Sequence, residues 1–181
     1  MYVGRLDPIK ALPVLLAAWR RVADKVPGAI LDIVGDDNRG TPAPMRPGLE
    51  RLVDELGIRE SVTFHGTQDD VLPYLRAATC LVLASEVEGL SNTLLEAMAT
   101  GVPAVATRVS GSEDLVVPDV NGVLVTPRDE DELACALAAV LTDPARAQHM
   151  GQRARQTILS RCAVGRVADA YVRLYRGESP R

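Results

Sequence analysis

Short apolar runs alternate with amphipathic helical segments along almost the whole chain, and this alternation constrains the fold more than any other feature of the sequence. The strand-like runs lie at residues 2–4, 29–34, 62–64, 80–84, 104–106 and 123–125. The helical patterns lie at residues 9–26, 49–56, 71–78, 92–100, 129–141, 145–160 and 164–176. Repeated strand–helix units favour a parallel sheet with helices on both faces. The sequence therefore predicts an α/β fold, a doubly wound parallel sheet followed by C-terminal helices.

The length of 181 residues suits one domain, residues 1–181, in which we predict a core at residues 1–142 and a helical extension at residues 143–181. Hydrophobic residues make up 47% of the chain and aromatic residues only 3%, so the core must be aliphatic. The formal net charge is −4, which gives no signature of nucleic-acid binding. We therefore expect no nucleic-acid partner.

Charge is concentrated near the C-terminus. Residues 145–181 contain eight Arg against Asp169 and Glu178, a net charge of +6 that leaves −10 on the rest of the chain. Such a segment is typical of a solvated helical face. It also suits a surface that docks onto another domain or onto an anionic membrane.

The cysteines and the hydropathy bear on location. Cys80 lies in an apolar strand and Cys135 in a helix, so we expect both to be buried thiols, and with Cys162 they form no C-x-x-C pair. Scattered free thiols suit a reducing compartment. We find no signal peptide and no apolar run long enough to span a bilayer. The sequence thus predicts a cytoplasmic protein.

Residues 88–103 read EGLSNTLLEAMATGVP, and they place Glu88 and Glu96 on either side of seven residues. Ser91 or Asn92 is a natural N-cap for the apolar helix that follows. Free backbone N–H groups and the helix dipole favour an anion such as phosphate at this helix start. Glu96 is the one carboxylate in this helix and needs polar partners, which the paired hydroxyls of a sugar would supply.

Ligands of an open α/β sheet bind at the carboxyl ends of the strands. Several polar or glycine-containing segments follow predicted strands: residues 4–5, 35–36, 65–66, 85–89 and 107–111. Arg5 offers a planar fork of donors and Lys10 a compact positive charge, so the two form a candidate clamp for an anion. One pocket could collect all of these groups.

These segments resemble retaining GT-B glycosyltransferases of the family 4-like type (glycosyl transferases group 1). The E-x7-E spacing of residues 88–96, continued by AMATGVP, matches the family's motif, and GRLDPIK at residues 4–10 resembles its GRL-x-x-x-K segment. Phe64-His65-Gly66 resembles its F-x-G strand end, and residues 121–125 resemble a later strand. The resemblance covers nearly the whole chain. It implies a Rossmann-like domain that forms the second, donor-binding half of a GT-B fold.

The resemblance also implies roles for individual residues. Arg5 and Lys10 would hold the donor's diphosphate, Glu88 would contact the transferred sugar near the reacting centre, and Glu96 would bind the ribose hydroxyls. The remaining implied substrate-binding positions are Gly4, Gly66, Gly89, Leu90, Ser91, Asn92 and Thr93. No metal or other cofactor is expected, because the two cations take that role, and the donor would be a nucleotide-diphosphate sugar such as a UDP- or GDP-sugar. Retention in this family is usually explained by front-face attack.

The chain departs from the family pattern in three places. Gly35-Asp36-Asp37 replaces the usual G-x-G, Ser110-Gly111 replaces Gly-Gly, and Lys10-Ala11 replaces Lys-Gly. We expect the last change to matter little. His65 is isolated, and a strand-end histidine is a better interpretation than a general base.

The family implies a first, acceptor-binding domain, whereas this chain begins at the first strand of the donor domain. We therefore expect half of a hexosyltransferase-type enzyme (EC 2.4): an excised fragment, a truncated product or one subunit of a split transferase. Its partners would be the nucleotide sugar and an N-terminal acceptor domain, with peripheral membrane association of the complete enzyme. The alternatives are a non-catalytic nucleotide-sugar-binding or regulatory subunit, a GT-B epimerase or phosphorylase, and a simple doubly wound signalling domain.

Overall fold

The computed structural model of the chain describes residues 1–38, 40 and 42–178. The strands are β1 (Tyr2–Val3), β2 (Leu31–Val34), β3 (Val62–Gly66), β4 (Leu81–Leu83), β5 (Ala104–Thr107) and β6 (Gly122–Val125). The helices are α1 (Leu12–Lys25), α2 (Arg46–Glu55), α3 (Leu72–Ala77), α4 (Asn92–Thr100), α5 (Ser110–Glu113), α6 (Glu130–Leu141), α7 (Pro144–Arg161) and α8 (Val164–Tyr175).

The strands form two parallel three-stranded sheets, in the orders β1-β2-β3 and β4-β5-β6. The two sheets meet at β1 and β4, where the Val82 N–H donates to the Met1 carbonyl at 2.8 Å and the Met1 amino group donates to the Cys80 carbonyl at 3.1 Å. The strand sequence across the molecule is therefore 3-2-1-4-5-6, the order of a doubly wound Rossmann-like sheet. The predicted fold class is confirmed.

Two aliphatic clusters cover the two faces of the sheet. One cluster includes apolar residues of α1, α2 and α6, and the other includes those of α3, α4 and α7. Leucines such as Leu15, Leu16 and Leu81 dominate the fully buried side chains, as the shortage of aromatic residues predicts. Helices on both faces leave the carboxyl edge of the strands as the natural place for a ligand.

The predicted helix over residues 9–26 is interrupted. A 3₁₀ turn at Pro8–Lys10 comes first, capped by the Asp7 carboxylate, and α1 begins only at Leu12. Pro13 explains the break, because its ring would clash with a helical carbonyl four residues earlier. Ala11 joins the two pieces with φ +49° and ψ +40°, a left-handed conformation that favours glycine.

The expectation that alanine after Lys10 would matter little leaves out the conformational energy of the backbone at Ala11. The family glycine at this position suits a left-handed backbone, which costs an alanine roughly 1–2 kcal/mol. Ala11 is buried, so the surrounding core holds it there. The residue that follows Lys10 thus carries local strain beside the candidate site.

Helix α2 begins earlier than predicted, at Arg46 instead of residue 49. The Asp37 carboxylate explains this difference, because its oxygens accept from the backbone N–H groups of Met45 and Arg46 at 2.7 and 3.0 Å. A distant carboxylate thus satisfies free N–H groups at the start of the helix. Arg39 and Thr41, in the segment that precedes α2, lie outside the described residues.

Helix α7 packs tightly against α4. An ideal Cβ on Gly151 would lie 2.0 Å from the Gly101 carbonyl oxygen, so the two backbones touch there. The Arg155 guanidinium donates to the Ala99 carbonyl at 3.2 Å, which places a cation at the C-terminal end of α4. The predicted boundary between residues 142 and 143 falls between α6 and α7, and residues 179–181 of the predicted extension lie outside the described residues.

Helix α8 differs from α7, because none of its residues is buried. It exposes Val164, Tyr171, Leu174 and Tyr175 to solvent. Among the described residues, no helix combines the length and the apolar character that crossing a membrane requires.

The cysteines give a test of the fold in solution. Cys80 is buried, whereas Cys135 is exposed, so the prediction that Cys135 is a buried thiol is wrong: it lies on the solvent side of α6. Burial also raises the pKa of the Cys80 thiol, which reduces its thiolate fraction. We expect fast labelling of Cys135 by a thiol reagent at neutral pH and slower labelling of the half-buried Cys162, while Cys80 reacts only on unfolding. Mass spectrometry of labelled peptides measures this, Cys135→Ser should remove the fast phase, and early labelling of Cys80 would contradict the packing.

Candidate functional site

The loops after β1 and β4 leave the sheet at its centre, where the strand order reverses. Doubly wound sheets bind ligands in the crevice at such a point. Here the Lys10 ammonium donates to Glu88 Oε2 at 2.6 Å, and the two side chains are 15% and 14% exposed. Two residues that are 78 positions apart therefore form a partly buried ion pair at the carboxyl edge.

Buried hydroxyl groups hold Glu88 in place. The Ser85 hydroxyl donates to the same carboxylate oxygen, Oε2, at 3.0 Å. The hydroxyl of Thr107, the last residue of β5, donates to the Ser85 carbonyl at 2.6 Å, and both side chains are buried. Within the described part of the chain, Glu88 Oε1 has no hydrogen-bond partner and can accept one from a ligand.

Arg5 lies in the loop after β1, at the same edge of the sheet, and its head group is open to solvent. The Tyr2 hydroxyl donates to the Arg5 carbonyl at 2.7 Å and fixes the backbone of the loop. Burial, followed by the charge of Glu88, raises the pKa of Tyr2, so the phenol remains a neutral donor. The Arg5 side chain is 58% exposed and its nearest carboxylate, on Asp7, is 3.9 Å away. Its fork of donors is therefore available to an anion.

The N-terminus of α4 lies directly after Glu88 in the chain. Ser91 is the N-cap, and its hydroxyl accepts from the Leu94 N–H at 3.3 Å. The Ser91 side chain is thus used by the helix, which leaves its backbone to face a ligand. Asn92 is exposed and Thr93 half-buried in the first turn, and Glu96 lies one turn further on, exposed.

Glycines allow close backbone contacts between the segments that follow the strands at this edge. An ideal Cβ on Gly111 would lie 1.7 Å from the Gly89 carbonyl oxygen, and one on Gly35 would lie 1.9 Å from the Gly4 carbonyl oxygen. The Gly35 N–H also donates to the Gly66 carbonyl at 2.8 Å. The loops after β1, β2 and β3 therefore touch through backbone atoms, as do those after β4 and β5.

The structure brings most of the predicted site residues to this edge. Lys10 and Glu88 are in direct contact, and the loop around Gly4 and Arg5 lies next to them. Glu96 has no ion-pair partner among the described residues. His65 is held apart from this pair, because its Nε2 lies 2.6 Å from Asp32 Oδ1 and its ring packs against Tyr74.

Sequence reasoning missed the residues that support the site. Ser85 and Thr107 had no assigned role, although a hydroxyl residue directly after a fully apolar strand is a usable signal. The close approach of Gly111 to Gly89 also depends on tertiary packing and leaves no local pattern. Among the described residues, no three His, Cys, Asp or Glu side chains cluster closely enough to hold a metal ion.

The family model "Glycosyl transferases group 1" matches residues 1–143. The chain belongs to this family of glycosyltransferases. The lipopolysaccharide core biosynthesis glycosyltransferase LpsE of Rhizobium meliloti is 30% identical over 174 residues, which cover 96% of this chain and 48% of that protein.

Solved structures agree with the fold. HepE from Anabaena, in complex with UDP, superposes with a TM-score of 0.89 at 25% identity, over 97% of this chain and 48% of HepE. The C-terminal domain of the group 1 glycosyl transferase LpcC from Francisella tularensis superposes with a TM-score of 0.81 at 23% identity, over 90% of this chain and 85% of that domain. The chain spans 34–48% of the length of the curated relatives that it matches.

Proposed function

We propose that the chain is the donor-binding domain of a retaining GT-B glycosyltransferase, of the family 4-like type. It binds a nucleotide-diphosphate sugar and supports transfer of the sugar to a hydroxyl acceptor when it is paired with an acceptor-binding domain. The observation that carries this proposal is the Lys10–Glu88 pair at the central crevice, beside the open guanidinium of Arg5. HepE, whose fold is similar, was solved in complex with UDP, which supports a nucleotide as the ligand.

The diphosphate binds between Arg5, Lys10 and the N-terminus of α4. Lys10 uses one ammonium proton for Glu88, so its other two can meet phosphate oxygens. Arg5 offers a bidentate fork, and the helix start adds free N–H groups. As the bond between sugar and phosphate breaks, negative charge grows on the phosphate, and these fixed donors stabilise it. The two cations serve in place of a metal ion.

Glu88 and Glu96 bind the two sugars of the donor. Glu88 has one oxygen tied to Lys10 and Ser85, which leaves the other to orient the transferred sugar. That arrangement suits a positioning carboxylate better than a nucleophile, in keeping with front-face attack. Glu96, exposed one turn along α4, accepts hydrogen bonds from the ribose hydroxyls.

An acceptor-binding domain completes the enzyme. The chain spans less than half of LpsE, of HepE and of its other curated relatives, which supports a second domain that faces this crevice. The cytoplasmic location and the peripheral membrane association of the complete enzyme stay predictions. The division of this domain at residue 142 also stays a prediction.

Calorimetry with UDP, GDP and ADP tests the proposal. We expect selective binding of one diphosphate, and a loss of affinity of about tenfold or more in Arg5→Ala, since one charge-assisted contact is worth about that factor. Glu96→Ala should lose affinity for the diphosphate as well, because it removes the ribose contact. Arg20→Ala, which breaks only the exposed Arg20–Asp24 pair, serves as the matched control. Full affinity in Arg5→Ala and Glu96→Ala together would place the nucleotide elsewhere.

A further inference from the structure

Arg46 lies at the edge of the candidate site, although no motif singles it out. It is the first residue of α2, and its Nη1 lies 3.5 Å from an ideal Cβ on Gly66, at the carboxyl end of β3. Its guanidinium is therefore next to the backbone of the outermost loop on that side of the crevice. Its side chain is 30% exposed, so one part of it still faces solvent.

The open direction for a nucleoside runs from the diphosphate site toward this residue. On the other side the start of α5 closes over the crevice, because Gly111 meets Gly89 and the Ser110 hydroxyl donates to the Glu88 carbonyl at 3.2 Å. Toward β3, Gly35 touches the loop after β1, but an ideal Cβ on Gly66 would meet only side-chain atoms, the nearest 3.5 Å away, so space remains at the end of β3. Parallel strands lie about 4.8 Å apart, so β1 and β3 are separated by about 10 Å, roughly the length of a nucleoside. The base therefore arrives near Gly66.

Several contacts hold the Arg46 guanidinium in one orientation. Nη1 donates to Asp36 Oδ2 at 2.8 Å and Nε donates to Glu50 Oε1 at 2.9 Å. The group also lies over the Phe64 ring, 5.7 Å from its centroid. Asp36 is fixed in turn, because its Oδ1 accepts from the Asp37 N–H at 2.9 Å.

One donor group remains. Within the described part of the chain, Arg46 Nη2 makes no hydrogen bond. A guanidinium fixed at the end of a nucleoside site has only donors, so it can pair only with a hydrogen-bond acceptor on the base. Uracil O4 and guanine O6 are such acceptors, whereas cytosine and adenine present an amino group at the same position.

We infer that Arg46, oriented by Asp36 and Glu50, selects donor nucleotides whose base carries a carbonyl oxygen at that position. This inference rests on the proposed function and specifies its substrate class. An amino base would bring N–H groups against the guanidinium, leaving donors on both sides without acceptors. Sites that present a fixed polar group reject a mismatched ligand strongly for this reason.

UDP and CDP are the matched probes, because the two molecules differ only at positions 3 and 4 of the base, where uracil carries N3–H and O4 and cytosine carries an unprotonated N3 and an amino group. In calorimetry on the full chain, we expect UDP to bind about tenfold or more tightly than CDP, which corresponds to one charge-assisted contact. Arg46→Met keeps the length of the side chain but removes the donors, and the UDP-to-CDP ratio should fall to near one. Arg146→Met is the control: it removes an arginine of α7 that pairs with Asp119, and it should leave the ratio unchanged.

A second variant tests the inference in case Arg46→Met does not fold. Arg46→Lys keeps the positive charge but loses the planar fork, and it should lower the ratio at least threefold. An unchanged ratio in the folded Arg46 variants overturns the inference, as does CDP binding as tightly as UDP to the unaltered chain. The proposed function survives either result, provided that Arg5→Ala still lowers the affinity for UDP about tenfold or more. Failure of the unaltered chain to bind any of these nucleotides overturns both.

Discussion

Gly111→Ala is expected to lower nucleotide affinity about 100-fold while leaving the fold intact. The new Cβ would lie 1.7 Å from the Gly89 carbonyl oxygen and 2.4 Å from the Gly89 carbonyl carbon, whereas ordinary van der Waals contact begins at 3.4 Å. The loop that carries Glu88 must therefore move by about 1.5 Å or more. This movement disturbs the Lys10–Glu88 pair and the start of α4, and losing two charge-assisted contacts to the ligand costs about 10²-fold in affinity. Calorimetry with UDP measures the loss.

A control separates this local effect from general damage. Gly48→Ala introduces a Cβ in the first turns of α2, where its nearest neighbour, the Arg51 head group, is 3.9 Å away. It should retain full affinity. Circular dichroism should show native secondary structure for both variants. If Gly111→Ala binds UDP normally, the contact between the loops after β4 and β5 does not shape the binding site.

The central helix of the site could be predicted because its signals are local. Ser91, one of the two predicted N-caps, and the bounds of α4 at residues 92–100 agree with the sequence prediction. The meeting of Lys10 and Glu88 could also be predicted, since parallel strands bring the ends of β1 and β4 to one edge. Composition and caps therefore specify the helix, and topology specifies the pair.

The other features of the site depend on tertiary contacts that no short segment encodes. Ala11 adopts a left-handed conformation, although alanine normally favours a right-handed helix. The sequence therefore predicts a continuous helix where the structure has a break before α1. Cys135 lies in an amphipathic helix, but the side of the helix that faces solvent is decided by the packing of α6 on α1. The donor role inferred for Arg46 depends on Asp36, ten residues away across an irregular loop.

Helices α7 and α8, which both lie in the predicted extension at residues 143–181, differ in burial. Helix α8 has no buried residue. In α7, Ala154 and Met150 are fully buried, and Ala154 belongs to the same apolar cluster as residues of α4. The helix that begins the predicted extension therefore supports the helix that carries Glu96.

Gly151→Ala should destabilise the protein by about 2–3 kcal/mol. Its Cβ would lie 2.0 Å from the Gly101 carbonyl oxygen and 3.3 Å from the Pro103 ring, so α7 must separate from the end of α4. Overpacking at a tight contact costs about 1–3 kcal/mol, and moving a buried backbone places this case near the upper limit. A thermal melt should show a decrease in Tm of about 5–10 °C for a domain of this size.

Gly165→Ala is the matched control, because it makes the same substitution within α8, where nothing lies within 4 Å of the new Cβ. Alanine stabilises an exposed helix position by up to about 1 kcal/mol relative to glycine, so the two substitutions should change stability in opposite directions. If Gly151→Ala melted at or above the Tm of the unaltered chain, α7 could not be packed against α4 at this distance. A loss of stability confined to Gly151→Ala would instead make α7 part of the folding unit that holds the candidate site, because α4 positions Asn92 and Glu96 only while its C-terminal end is supported.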